Sequence, residues 1–188
     1  MMRIAVFCGS ADGRPGSRYK DAAFKLGQVL AERGIEVVYG GARVGLMGAV
    51  ASGALSEGGK VIGVLPKGLA DRELAHPELT ELRLVETMHQ RKALMSDLAD
   101  AFIALPGGVG TFEEIFEIWC WAQLGIHHKP FGLLSIDGYY DKLVEFIRQS
   151  SDEGFVRPEY VDMLMVESDA EQLLAAFDSY QPPADKWG

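Results

Sequence analysis

The run Pro106-Gly107-Gly108-Val109-Gly110-Thr111-Phe112-Glu113-Glu114 puts three glycines, a hydroxyl and two carboxylates within nine residues. Glycine leaves backbone bare for close approach. The first N–H groups of a following helix carry partial positive charge, so the segment can hold an anion. No lysine follows the last glycine, as it would in a nucleoside-triphosphate loop, and the glycine spacing is not the dinucleotide fingerprint. A single phosphate fits better than a triphosphate. Thr111 and Glu114 also match a capping box, in which Glu114 would bond back to the Thr111 N–H. Spacing alone leaves open whether Glu114 caps a helix or does chemistry.

A second constellation, Met88-His89-Gln90-Arg91-Lys92, opens a helix after Thr87. Cations in a first turn face the positive end of the helix dipole, at a cost of up to about 1 kcal/mol when exposed. Arg91 and Lys92 therefore call for an anion, either a carboxylate of the chain or a ligand phosphate; Lys92 taken alone reads as a solvated surface charge. In a third segment, Tyr39-Gly40-Gly41-Ala42-Arg43-Val44-Gly45-Leu46-Met47-Gly48, Gly45 and Gly48 suit tight helix packing or ligand contact equally, and Arg43 reads as a surface residue. His127-His128 lack a carboxylate or cysteine partner at ligand spacing, so no metal is expected. No serine sits in a G-x-S-x-G elbow. Cys8 and Cys120 both lie in apolar surroundings and read as free buried thiols.

These segments are held by alternating strands and helices. Continuous apolar runs predict strands at Ile4 to Cys8, Ile35 to Tyr39, Val61 to Leu65, Ala101 to Leu105 and Phe131 to Ile136, with a short one at Met163 to Val166. Helical spacing predicts helices at Tyr19 to Arg33, Gly45 to Glu57, Thr87 to Leu98, Thr111 to Leu124, Tyr139 to Gln149 and Asp169 to Phe177. Lys67 to Glu81 is polar and aperiodic, and reads as a loop with one short helical turn. The alternation implies an α/β fold with a mostly parallel central sheet covered on both faces, and a ligand crevice beyond the carboxyl ends of the strands. All three glycine-rich turns follow strands and should open at that edge. In the helix from Thr111, Phe112, Ile115, Phe116 and Trp119 form one apolar face; Ile118, Trp121 and Leu124 form another that needs a further helix or a partner subunit.

The 188 residues suit one nucleotide-binding domain over 1–180, followed by a loose tail over 181–188 with two prolines. A net charge of -9 without any basic stripe argues against nucleic acid as a partner. A bound phosphate would then depend on a local pocket rather than a global field. The apolar N-terminus runs straight into Gly9-Ser10, too soon for a signal segment, and no stretch suits a bilayer. The expected compartment is the cytoplasm, with no membrane association.

Together, the motifs at Pro106–Glu114 and Met88–Lys92 closely resemble those of the LONELY GUY family, cytokinin riboside 5′-monophosphate phosphoribohydrolases often mislabelled lysine decarboxylases. The family's PGGxGTxxE and MHxRK patterns both occur in full. The likeness runs from Phe7-Cys8-Gly9-Ser10 to Trp121-Ala122-Gln123-Leu124-Gly125. The resemblance implies a Rossmann-like three-layer fold, a homodimer, no cofactor, and hydrolysis of AMP or N6-modified AMP to free base and ribose 5-phosphate. It implies catalytic roles for Arg91 and Glu114, and substrate contacts at Glu73, Arg91, Lys92, Gly108, Val109, Gly110, Thr111, Phe112, Glu113 and Glu114. Cys120 stands where plant members carry a contacting threonine, and Ala42 where many relatives have a third glycine. Three rivals remain: a non-catalytic AMP-binding or carrier protein on the same fold, a decarboxylase, which would need a pyridoxal phosphate Schiff base, and an interaction module built around the aromatic helix, which would leave the glycine-rich loops without a role.

Overall fold

The computed structural model describes residues 2–70 and 74–183. Seven strands form one sheet in the order β4-β3-β2-β1-β5-β6-β7: β1 (Arg3–Phe7), β2 (Glu36–Tyr39), β3 (Val61–Pro66), β4 (Glu81–Val85), β5 (Ala101–Ala104), β6 (Phe131–Leu134) and β7 (Leu164–Glu167). Every neighbouring pair is parallel, with Ile4 opposite Val37 on one side and Ala101 on the other. Central strands covered on both faces must be apolar throughout, which is why the runs at β1, β2, β3, β5 and β6 lack polar alternation.

Helices cover both faces. On one, α1 (Tyr19–Glu32), α2 (Gly45–Ser56) and α8 (Ala170–Asp178) bury Leu26, Leu30, Leu46, Val50, Leu173 and Phe177 against Ile4, Val6, Val37 and Ile103. On the other, α4 (Met88–Leu98), α5 (Val109–Gln123), α6 (Asp141–Asp152) and the short α7 (Pro158–Val161) bury Met95, Ile115, Ile118, Trp119, Ile147 and Tyr160 against Ala5, Phe7, Val38 and Phe102. The fold is the expected Rossmann-like three-layer arrangement. The short helix α3 (Lys67–Ala70) is the helical turn expected in the polar stretch after β3. Residues 181–183 carry no regular structure, and the remainder of the expected tail lies outside the described residues.

Several local expectations change. The segment after the polar stretch is a strand, β4, pairing in parallel along the sheet edge beside β3. Its alternation of Glu81, Leu82, Arg83 and Leu84 leaves it largely exposed, so charge hides the apolar signal that marks the inner strands. Cys120 is exposed, because it lies on the side of α5 opposite the buried stripe; only Cys8 is buried. Ile118 faces inward with Ile115, Trp119 and Ala122, so the two proposed apolar faces of α5 merge into one, with Phe116 and Trp121 half-buried beside it. Gly45 and Gly48 serve packing: a Cβ on Gly45 would sit 2.5 Å from the Ala11 nitrogen, and one on Gly48 would stand 2.6 Å from the Arg43 carbonyl carbon.

Candidate active site

Strand order reverses between β1 and β5, and the chain opens a crevice there at the carboxyl ends of the strands. The cavity has a volume of ≈ 450 Å³, within the range of small-molecule sites (about 300–1,000 Å³). Cys8, Gly9 and Ser10 arrive from β1, Gly40 and Ala42 from β2, and Leu65 from β3, while Gly108 to Thr111 open α5. All three glycine-rich turns thus meet at one edge.

The α5 rim is bare backbone. The helix starts at Val109 with Gly108 as N-cap, and no side chain caps it. Val109 is 81% exposed at the mouth. Thr111 therefore stands inside the first turn rather than at the cap position, and the capping-box reading of Thr111 and Glu114 falls. The true capping box is on α4, where the Thr87 hydroxyl accepts from the Gln90 N–H and the Gln90 side chain accepts from the Thr87 N–H. Behind the rim, Gly107 packs against both Thr111 and the β1 loop: a Cβ there would lie 2.7 Å from Thr111 Cβ and 2.9 Å from the Gly9 nitrogen. Tyr139 donates to the Gly107 carbonyl, and Tyr140 donates to the Leu105 carbonyl at 2.6 Å. These bonds pin the loop from below.

Freed from a cap, Glu114 turns inward to an ion pair. Arg91 Nη1 donates to Glu114 Oε1 at 3.0 Å, with both side chains about one-tenth exposed (11% and 10%) at the pocket wall. The Arg91 Nε donates to the Val64 carbonyl at 3.1 Å, fixing the guanidinium plane. Burial pushes the Glu114 carboxyl above its ordinary range; Arg91 pulls it back, Glu113 raises it further and Lys92 lowers it. Cys8 lies in the same floor, and burial together with the Glu114 charge pushes its thiol up, so it stays protonated. Apolar atoms of Met47, Leu65, Leu69 and Leu74 complete the wall. Residue types and spacing did not single these out, because they become neighbours only when four loops converge.

Of the residues singled out in the sequence, Arg91, Gly108, Val109, Gly110, Thr111 and Glu114 line this pocket. Lys92 does not: it is only 8% exposed, and its ammonium is held by Glu113 and Glu117 across the α4–α5 seam. Burial alone would lower its pKa, but the bonds to Glu113 and Glu117 outweigh that and hold it above the usual value. The anion demanded by the first turn of α4 is thus supplied by the chain itself, for Arg91 as for Lys92. Lys92 is no solvated surface charge. Phe112 packs edge-on to Tyr140 behind the site, Glu113 faces outward to Lys92, and Glu73 lies outside the described residues. Arg43 is exposed, as expected.

Among the described residues, no group of His, Cys, Asp or Glu could hold a metal ion, and no helix is long and apolar enough to cross a membrane. A pyridoxal phosphate Schiff base would need a lysine in the pocket. Among the described residues none lines it, and the nearby Lys92 is engaged by two carboxylates. The site does not fit that cofactor.

A family model described as possible lysine decarboxylase matches residues 47–177. The probable cytokinin riboside 5′-monophosphate phosphoribohydrolase LOGL5 of Oryza sativa subsp. japonica is 52% identical over 96% of this chain and 73% of its own length. The cytokinin riboside 5′-monophosphate phosphoribohydrolase LOG7 of Arabidopsis thaliana is 49% identical over 98% of this chain and 84% of its own. Among solved structures, the molybdenum cofactor binding protein of Rippkaea orientalis superposes with a TM-score of 0.73 at 22% identity, covering 95% of this chain and 96% of that one. The Chlamydomonas Moco carrier protein does so with a TM-score of 0.66 at 23% identity, covering 93% and 98%. At such identities the structural neighbours speak for the fold alone. The family model and the close relatives, spanning nearly the whole sequence, go further: this chain belongs to the LONELY GUY family.

Proposed function

We propose that the chain hydrolyses the N-glycosidic bond of adenosine 5′-monophosphate or its N6-modified, cytokinin-type forms, giving free base and ribose 5-phosphate. One observation carries the reading: a buried Arg91–Glu114 pair faces a pocket whose rim is the uncapped start of α5. Relatives named for this reaction at about half identity support it. A carrier needs a phosphate cradle, but it has no use for a desolvated carboxylate beside it.

The α5 N–H groups of Val109 to Thr111 take the 5′-phosphate, using remote binding energy to fix the ribose. As the C1′–N9 bond breaks, its electron pair leaves with the purine and positive charge builds on the sugar. Glu114 stabilises that charge and takes a proton from the water whose oxygen bonds to C1′. The departing purine takes up a proton from solvent and Glu114 then releases its own, so that the water's OH ends on the sugar and one H on the free base. Arg91 keeps Glu114 ionised against the pull of burial and presents its remaining donors to the nucleotide. Lys92 and Glu113 act from behind, locking α4 to α5 so that Arg91 and Glu114 stay in register, while Phe112 packs α5 against Tyr140.

Two further assignments belong to the same reading. Leu124 and Ile126 are exposed at 47% and 64% at the end of α5 and just beyond it, and we place the contact of a homodimer there; light scattering in solution tests it. The compartment is the cytoplasm. The reaction is tested by incubating the purified protein with AMP and with N6-isopentenyl-AMP and following base release by chromatography. Binding without release over hours would replace the hydrolase by the carrier.

A further inference from the structure

The turn after β2, Tyr39-Gly40-Gly41, follows a strand where a phosphate loop could stand, and its first glycine lines the cavity, yet a side chain there would meet no open space. Gly40 is buried, and a Cβ built on it would overlap Arg91 Nη2 and Met47 Cε and stand 3.0 Å from Arg91 Cζ. Its φ lies outside the left-handed region, unlike that of Gly41 (φ 81), so the backbone at position 40 does not itself demand glycine. The demand comes from the guanidinium. Three contacts then define Arg91: Nε on the Val64 carbonyl, Nη1 on Glu114 and Nη2 against the bare Cα of Gly40.

We propose that Gly40 is a positioning residue for catalysis, the seat on which Arg91 is held in line with Glu114. This deepens the hydrolase reading and rests on it for its kinetic consequences. Met47 can swing its terminal methyl aside, since it is only partly buried. Arg91 cannot shift in the same way without lengthening its bond to Val64 or to Glu114. A methyl group at position 40 therefore acts on the one side chain whose placement the reaction needs. Fold stability is largely spared, because the atoms that must give are the far ends of two long side chains. Misplacing a catalytic group by about 1 Å can cost about 100-fold in rate.

The test is Gly40→Ala in the full-length protein, read in three ways. We expect kcat for base release to fall between about 10-fold and 100-fold with KM within about twofold, the range for a displaced positioning contact. The Glu114 side-chain carboxyl, followed by 13C NMR, should titrate at higher pH than in the unsubstituted protein, because the cation that lowers it has moved. The other groups facing it, Glu113, Lys92 and Cys8, are unchanged. The melting temperature should stay within a few degrees. Adding Gly40→Ala to Arg91→Lys, which lacks the clashing nitrogen, should leave the titration where Arg91→Lys alone puts it. Unchanged kcat and titration would overturn the proposal, as would a rise in KM alone, which would make Gly40 a substrate contact. A melting change with an unaltered titration would reduce it to a packing role. If the unsubstituted protein released no base, the hydrolase reading would fall, while the titration would still decide the seat.

Discussion

Replacing Glu114 by glutamine separates the chemical role of this residue from its structural one. In the folded chain Arg91 Nη1 lies 3.0 Å from Glu114 Oε1, and both side chains are about one-tenth exposed. At an effective dielectric of about 20, unit charges near 4 Å attract by about 4 kcal/mol, most of it offset by the cost of taking both from water. Glutamine keeps an oxygen for Arg91 and loses only the charge. The stability cost is then about 1–3 kcal/mol, the range for weakening a hydrogen bond to a charged group. For a chain of this length that lowers the melting temperature by about 2–12 °C, and a domain stable by about 5–15 kcal/mol stays folded at 25 °C. Catalysis loses far more. Without a fixed negative charge near C1′ the rate falls about 100-fold to 1,000-fold, or about 2.7–4 kcal/mol of barrier. The assay is chromatographic base release from AMP across pH, with a thermal melt on the same sample. Activity of the unsubstituted protein should fall as pH drops through the Glu114 pKa, which burial sets above the usual carboxylate range; the glutamine variant should lose that acid limb. Near-normal turnover by a folded Glu114→Gln protein would refute the assignment.

Other consequences can be checked independently. Lys92→Met removes the cation shared by Glu113 and Glu117; it should lower the melting temperature by a few degrees, roughly 1–2 kcal/mol after solvent screening at the half-exposed Glu113, and leave KM for AMP within about threefold. A KM rise above tenfold, which is about 1.4 kcal/mol of lost binding, would instead show that Lys92 touches substrate. Gly107→Ala drives a methyl toward Thr111 and the Gly9 nitrogen, prising apart the α5 rim and the β1 loop. AMP affinity measured by calorimetry should drop at least tenfold, about 1.4 kcal/mol, and wild-type affinity would argue against phosphate capture at this rim. His127 is held neutral: its pKa is lowered chiefly by burial, its Nε2 faces the Ile118 carbonyl at 2.9 Å, and its Nδ1 accepts from the Lys129 N–H. Below the unfolded value of about 6.5 the unfolded chain takes up a proton that the folded chain resists. Stability contributed above that pH is therefore lost as pH falls toward the folded pKa. His127→Asn should flatten the drop in melting temperature between about pH 6.5 and 5, and an equally steep drop would remove His127 from the account.

Much of this was legible in the sequence. Strands buried on both faces announce themselves as apolar runs, so β1, β2, β3, β5, β6 and the parallel α/β class follow from local composition. The placing of three glycine turns at one sheet edge follows from the same alternation; Arg91 stands out because a cation in a first helical turn demands an anion, and Glu114 because it follows a glycine-rich turn. The edge strand β4 was hidden because it is largely exposed and two of its five residues, Glu81 and Arg83, are charged. The spacing of Thr111 and Glu114 was ambiguous because helix starts are set by backbone geometry, and α5 begins two residues before Thr111.

What remained for the tertiary structure was the identity of each partner. Residue types demanded an anion for Arg91 and Lys92, but only the seam between α4 and α5 assigns Glu114 to one and Glu113 with Glu117 to the other. Gly40 read as a loop glycine, and Cys120 as a buried thiol, until helix phase and loop convergence placed them. Local sequence determines periodicity and turn chemistry, because these depend on neighbours in the chain. Which distant side chains share a buried volume depends on how whole helices rotate and pack on the sheet, and that is decided only when the layers close.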